Sequence, residues 1–313
     1  MLQLLTVGRI SVDLYADAPG AAFTDPQRFE KSIGGTATNV AVAAARLGHP
    51  SAVWTKVGAD PFGDYVVAKL AGFGVDTSFV GRDPVLRTPL AFAAMTPPED
   101  PQLLFYRQPH APDMQLAVGD VDDATLTDVP VLWVAGSAMA EEPARTAVTA
   151  ALATRGRRRH TVLDLDYRAA LWPDEPTAAR VIGAAVAAAT VAVGNRDECR
   201  VAVGTDEPDA AASELLARGA EVAIVKLGAA GVLVATPDGR STVAARRVEV
   251  VCGLGAGDAF GGALVHGLLA GWEPQRTVEY ANAAGAIVAG RLLCADAMPT
   301  DAEVLGLMRT PTL

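Results

Sequence analysis

Short apolar runs alternate with longer helix-patterned stretches along most of the chain, and this alternation constrains the fold more than any other feature. Strands separated by helical crossovers build a mostly parallel sheet with helices on both faces, a three-layer α/β/α sandwich. The strand candidates are residues 4–8, 51–58, 131–136, 161–166, 190–195, 222–228 and 231–236. Helical patterns include 39–47, 63–71, 143–154, 208–218, 258–270 and 277–291. Strands in such sheets end along a common edge where ligands collect, so function is expected on the loops that follow them. Two stretches, 9–33 and 82–116, break the pattern with short extended segments between Pro, Gly and Asp and no helix. They predict a small antiparallel sheet inserted in the α/β body, a lid. The length of 313 residues suits two domains or one; single α/β domains of this size are routine, and the expectation is one unit over 1–313.

Lys and Arg number 26 against 36 Asp and Glu, a formal charge of −10 at pH 7, which argues against a general binder of nucleic acid or anionic membrane. The one basic run, RGRRRH at 155–160, reads first as a solvated helix end and second as a phosphate-binding patch. No apolar run is long enough for a membrane-spanning helix, and the N-terminus lacks the features of a secretion signal. Cys199, Cys252 and Cys294, odd in number and far apart, fit reduced thiols in a cytoplasm. With four His and no ligand-spaced pair, a zinc site is not expected.

The segment CGLGAGDAFGGALVHGLLAGW, Cys252 to Trp272, carries the chemistry. Gly253, Gly255 and Gly257 allow successive amides to face one concavity, and the helix that follows directs its positive end there, which makes an anion hole from Gly255, Ala256 and Gly257. The spacing departs from the dinucleotide fingerprint, because Asp258 stands where the last glycine belongs, and the Gly-Lys-Ser/Thr ending of a P-loop is missing. A carboxylate at such a mouth either accepts a proton from an attacking hydroxyl or caps the helix, and both readings of Asp258 stay open. In SIGGTATNVAVAAARLG, Ser32 to Gly48, the pair Gly34–Gly35 permits close approach of a polyhydroxy ligand and Asn39 can bind vicinal hydroxyls; a tight strand-to-helix turn is the plainer alternative.

These two segments, in this order, resemble the two signatures of the PfkB-type sugar kinases, the ribokinase-like family. The similarity extends through nearly the whole chain. GRISVD (8–13) resembles the first strand with a substrate-binding Asp, here Asp13, and GNRDE (194–198) matches an N-x-x-E motif. The resemblance implies that Glu198 organises magnesium and phosphate with Asn195 nearby. It also implies that Lys226, Gly228 and Gly231 of VKLGAAG lie along the nucleotide and that Asn282 of ANAAGA flanks the adenine. Within the family, GRISVDLY, LLFYRQPHAPDM, DLDYRAALW, GLGAGDAF and CADAMPT are most similar to the 5-dehydro-2-deoxygluconokinases of inositol catabolism. Where many sugar kinases have D-x-N-x-R this chain has Asp166 in place of the Asn, which favours that branch.

The expectation that follows is a ribokinase-like fold with a β lid and an ATP- and Mg²⁺-dependent kinase acting on the 6-hydroxyl of 5-dehydro-2-deoxy-D-gluconate. The alternatives are a kinase for 2-keto-3-deoxygluconate, fructose or ribose, or a catalytically silent sugar-binding protein. Arg107 in the lid and Arg9 after the first strand are the candidates for a substrate carboxylate, since arginine's planar fork suits one, while Arg168 is expected to face the transferring phosphoryl group. Each could instead form a surface ion pair. Many relatives place an Asp six residues before the catalytic Asp beside a monovalent cation; Cys252 occupies that position, so a potassium requirement is in doubt. The lid is expected to offer an edge for a homodimer.

Overall fold

The computed structural model describes residues 1–17, 23–94, 97 and 101–309. Its elements run β1 (Leu4–Val7), β2 (Ser11–Ala16), β3 (Phe29–Gly34), α1 (Thr36–Arg46), β4 (Ser51–Gly58), α2 (Pro61–Gly72), β5 (Val80–Asp83), β6 (Leu90–Ala94), β7 (Gln102–Tyr106), α3 (Asp123–Asp128) and β8 (Val131–Ala135). They continue with α4 (Ala144–Arg155), β9 (Thr161–Asp164), α5 (Glu175–Ala185), β10 (Val191–Asn195), α6 (Arg196–Val203), α7 (Pro208–Ala217), β11 (Val222–Lys226), β12 (Val232–Thr236), β13 (Gly239–Val243), α8 (Ala256–Leu269), α9 (Pro274–Ala289) and α10 (Asp301–Arg309).

Nine strands form the large sheet in the order β13-β12-β11-β10-β9-β8-β1-β4-β5. From β11 to β5 every neighbour is parallel, and β12 and β13 close the far edge as an antiparallel hairpin. Side chains alternate between two cores, as period-2 strands covered on both faces must. Leu5, Val7, Leu132 and Val134 pack with α4 to α7 on one face, whereas Leu4, Val131, Trp133 and Ile224 pack with α1, α8 and α9 on the other. The strand candidates all fall on observed strands. The sequence pattern gives no signal for β5 and β13, which are short and partly exposed and therefore lack an apolar run, and α3, α5, α6 and α10 add to the helices expected from it.

The second sheet, in the order β3-β2-β6-β7, draws its strands from the two predicted insertions. Two corrections apply. Residues 82–83 belong to β5 at the edge of the large sheet, and the small sheet is mixed, because β2 and β6 pair in parallel. Both strands leave the same rim of the body, after the parallel strands β1 and β5, so they must run in the same direction. Within the insertions, 18–22, 95–96 and 98–100 lie outside the described residues. A polar knot fixes the entry to β6: Gly58 N donates to Thr88 Oγ1 at 3.0 Å, while Thr88 donates to Asp60 through N at 2.8 Å and Oγ1 at 2.9 Å.

The basic run lies at the end of α4, where residues 156–159 are exposed as a solvated helix end should be, but Arg155 departs from that reading. Arg155 is fully buried and donates to the carbonyls of Leu126, Val129 and Pro130, and Arg157 donates to those of Ala187 and Gly219. Guanidinium forks here replace backbone partners that the irregular loops cannot supply. Among the described residues no helix is long and apolar enough to cross a membrane, and the three cysteines are buried and unpaired.

Candidate active site

A cavity of about 460 Å³ lies between the small sheet and the carboxyl-terminal rim of the large one. A second, of about 780 Å³, lies between β12, α8 and α9. They share a wall formed by Lys226, Gly228, Gly253 and Gly257.

At that wall α8 begins. Its N-cap is Gly255, in the left-handed region at φ 79°, where a side chain would meet Cys294 Sγ at 2.8 Å, and no side chain caps the helix. The amides of the first turn, at Ala256, Gly257 and Asp258, therefore have no partner within the helix and leave its positive end open. This sets aside the capping reading of Asp258. It stands in the third helical position, not at the cap, and its Oδ2 accepts from Asn39 Nδ2 at 2.7 Å. Burial pushes its carboxyl up to about 6, against the Asn39 hydrogen bond and the cations Arg168 and Lys226. A carboxylate tuned toward neutrality is a better proton acceptor than a solvated one.

The glycine pair serves the chain itself before any ligand. A Cβ on Gly34 would lie 1.9 Å from Asp13 Oδ2, and one on Gly35, at φ 101°, would lie 2.2 Å from the Arg9 carbonyl oxygen. Gly34 thus makes room for Asp13, which lines the cleft with Gly35 and Asn39. Burial raises the Asp13 carboxyl, countered by hydrogen bonds from Ser11 at 2.6 Å and Tyr15 at 3.3 Å. Asn39 acts on Asp258 through its nitrogen, and its buried Oδ1 has no partner among the described residues.

Along the opposite wall the ends of β9, β10 and β11 bring Asp164, Asn195 and Lys226 into the cleft, and the first turn of α6 adds Glu198. Asn195 and Glu198 form a reciprocal capping box on α6, with Glu198 N donating to Asn195 Oδ1 at 2.9 Å and Asn195 N to Glu198 Oε2 at 2.6 Å. Lys226 Nζ lies 3.9 Å from Glu198. Burial alone would discharge this lysine, but Glu198 and Asp164 hold it charged above the usual range. Asp164, buried beside them, is pushed up to about 8 by desolvation against the pull of Lys226. Gly228 and Gly231 are at φ 59° and 100°, and Asn282, on the second cavity, donates to the Ala244 carbonyl at 3.2 Å.

The arginines divide. Arg9 and Arg168 line the first cavity and both pair with the buried Asp166, at 3.3 Å each. Arg107 lines neither cavity; its Nη2 sits 2.5 Å from Asp113, a fully buried carboxylate that also accepts from Ile10 N. The structure thus places Arg107 in an ion pair with Asp113, away from both cavities. Asp164 and Asp166 are site residues that the sequence pattern hides, because the alternating DLD at a strand end reads as sheet. Their only sequence signal is the Asp at 166. Cys252 is a buried thiol raised by desolvation and packed beside Tyr15 and Cys294, so no carboxylate stands there to hold a monovalent cation.

Residues 1–301 match the model of the pfkB family of carbohydrate kinases. A protein of Photobacterium profundum named 5-dehydro-2-deoxygluconokinase is 34% identical over 318 residues, covering 99% of this chain and 95% of that one. Among solved structures, fructokinase from Vibrio cholerae O395, in a form bound to fructose, ADP and calcium, is 28% identical with a TM-score of 0.87, covering 99% of each chain. Fructokinase from Xylella fastidiosa with bound ATP is 26% identical with a TM-score of 0.87 over the same share.

Proposed function

The chain belongs to the pfkB family of carbohydrate kinases, and from that premise we propose that it transfers the γ-phosphoryl group of ATP to the 6-hydroxyl of 5-dehydro-2-deoxy-D-gluconate. The observation that carries the reading is Asp258, set at the open amino end of α8 and oriented by Asn39. The named likeness to 5-dehydro-2-deoxygluconokinase supports the substrate.

The acceptor occupies the first cavity, with Asp13 and Asn39 taking hydroxyls and the small sheet acting as a lid that excludes water. Its 6-hydroxyl gives a proton to Asp258 as the oxygen attacks the γ-phosphorus and the bond to ADP breaks. The amides of Gly255, Ala256 and Gly257 stabilise the charge on the phosphoryl oxygens, and Lys226 and Arg168 add cationic charge from the side. The nucleotide extends into the second cavity along Gly228 and Gly231 toward Asn282.

A magnesium ion suits this donor set in one way. Among the described residues no cluster of three or more His, Cys, Asp or Glu could hold a metal, while Glu198 and Asp164 line the cleft. The ion would be held by phosphate oxygens and water, with these carboxylates behind them, and when bound it neutralises phosphate charge. Leu104 and Tyr106 on the outer strand β7 are exposed and offer an edge through which a second copy can pair. Three free, buried thiols suit a reducing cytoplasm.

The test is ADP release with ATP and magnesium over a panel of sugars and sugar acids. Turnover on the deoxygluconate supports the reading, turnover on neutral sugars alone moves the substrate elsewhere in the family, and none on any sugar overturns it.

A further inference from the structure

We propose that Arg9, held in place by Asp166, selects an acidic acceptor by receiving its carboxylate; this rests on the kinase reading and names the substrate class of the same cleft.

Arg9 is 6% exposed and most of its fork is committed. Nε donates to Ser137 Oγ at 2.8 Å, and Nη2 donates to Thr36 Oγ1 at 3.2 Å and to Asp166 Oδ2 at 3.3 Å. Nη1 has no partner among the described residues, and it is not one of their fully enclosed unpaired atoms, so it is the corner of the fork that the cleft can reach. A buried guanidinium with an open donor is costly unless something accepts from it.

Asp166 fixes where this fork stands. Asp166 is 1% exposed and accepts from Arg9 Nη2 on both oxygens, from Arg168 Nε on Oδ1 and from the hydroxyl of Ser137 on Oδ2. Two guanidiniums thus share one carboxylate, and the charge of Arg9 is also felt by Asp13, which lines the same cleft. Asp166 reaches this position with φ 31°, a backbone setting that few non-glycine residues adopt. An amide at 166 would remove the carboxylate that hydrogen-bonds Arg9, so Asp166 sets the position of the fork. Arg107 pairs with Asp113 and lines neither cavity, and Arg168 stands among Asp166, Glu198, Asp258 and Asp164, on the side of the transferring group. Arg9 is left as the reader of the acceptor's acidic end, and Asp166 is its positioning residue.

The experiment compares wild type with Arg9→Gln, Arg9→Lys, Asp166→Asn and the Arg9→Gln/Asp166→Asn pair, the last sparing the core an uncompensated carboxylate. It reads kcat and KM for the sugar acid, for a neutral analogue with an alcohol in place of the carboxyl, and for ATP. Calorimetry of the acid with enzyme and no nucleotide supplies an arm independent of turnover. Removing Arg9 should weaken acid binding and raise its KM by about 10–100-fold, the range of a charge-assisted hydrogen bond, with KM for the neutral analogue and for ATP moved less than about threefold. Lysine should recover part of the loss. Asp166→Asn should weaken acid binding in wild type but add nothing once Arg9 is gone. Equal losses for acid and neutral acceptors, or a loss confined to ATP, would overturn the assignment. An enzyme that binds the acid through Arg9 yet phosphorylates no sugar would keep the assignment and defeat the kinase reading.

Discussion

Asn39 and Asp258, 219 residues apart in sequence, are joined by a 2.7 Å hydrogen bond from amide to carboxylate. The bond ties α1 to α8 at the point where both begin, so the two sequence signatures form one device. It has a consequence for pH. Asp258 must be ionised to accept a proton, so kcat should rise with pH through about 6. The Asn39 hydrogen bond favours the ionised form, and Asn39→Ala should move that limb to higher pH, which a pH–rate profile will read. Asp258→Asn should lower kcat by about 10²–10⁴-fold with nucleotide binding little changed.

Two glycines of the same loop should fail differently. At Gly255 a methyl meets Cys294 and the backbone is left-handed, so Gly255→Ala should lower Tm by roughly 2–4 °C or more. At Gly257 the methyl would find only Lys226 Nζ, at 3.6 Å, so Gly257→Ala should keep Tm and lose kcat by obstructing the phosphoryl group. Thermal melts beside single-turnover rates separate the two.

Gly34→Ala places a methyl on the Asp13 carboxylate, which must swing away. The expected result is a raised KM for the sugar with KM for ATP unchanged. An unchanged sugar KM would mean that Asp13 does not touch the acceptor.

Arg107→Leu strips the partner from a fully buried carboxylate, Asp113, and should cost about 3–5 kcal/mol in denaturant unfolding. Activity of the folded fraction should fall equally for acidic and neutral sugars. A loss restricted to acids would return Arg107 to the substrate site.

His49 Nε2 and His266 Nδ1 lie 2.9 Å apart, with Gln3 on the other side of His49 and Tyr280 stacked on His266. Burial lowers both, His266 further depresses His49, and Asp301 opposes the shift at His266. With folded values below 6.5, the unfolded chain takes up protons first. The pair's contribution is present above pH 6.5 and is lost as pH falls toward the lowered values. Melts from about pH 7.5 to about pH 5 should show a shallower decline for His49→Gln than for wild type.

The fold was legible in the sequence wherever burial on both faces made a strand continuously apolar, as at 131–135 and 222–226. It was not legible where an edge strand is charged and half-exposed, as in Val80–Asp83 and Gly239–Val243. At the site, the anion hole could be read because glycine spacing and a following helix are local properties. Whether Arg107 meets a ligand or Asp113 depends on a turn that seats the two side by side, and whether Asp166 is a sheet residue or a clamp depends on Arg9, 157 positions away. Local pattern holds no information on which side chains a turn or a distant strand brings together.

The wall of Gly253, Gly257, Lys226 and Gly228 belongs to both cavities, so the two chambers stand side by side with one thin partition in common. An inhibitor that spans it, acid head in one chamber and nucleoside tail in the other, would gain from tethering as well as from contact, because its second half docks at an effective concentration fixed by the linker.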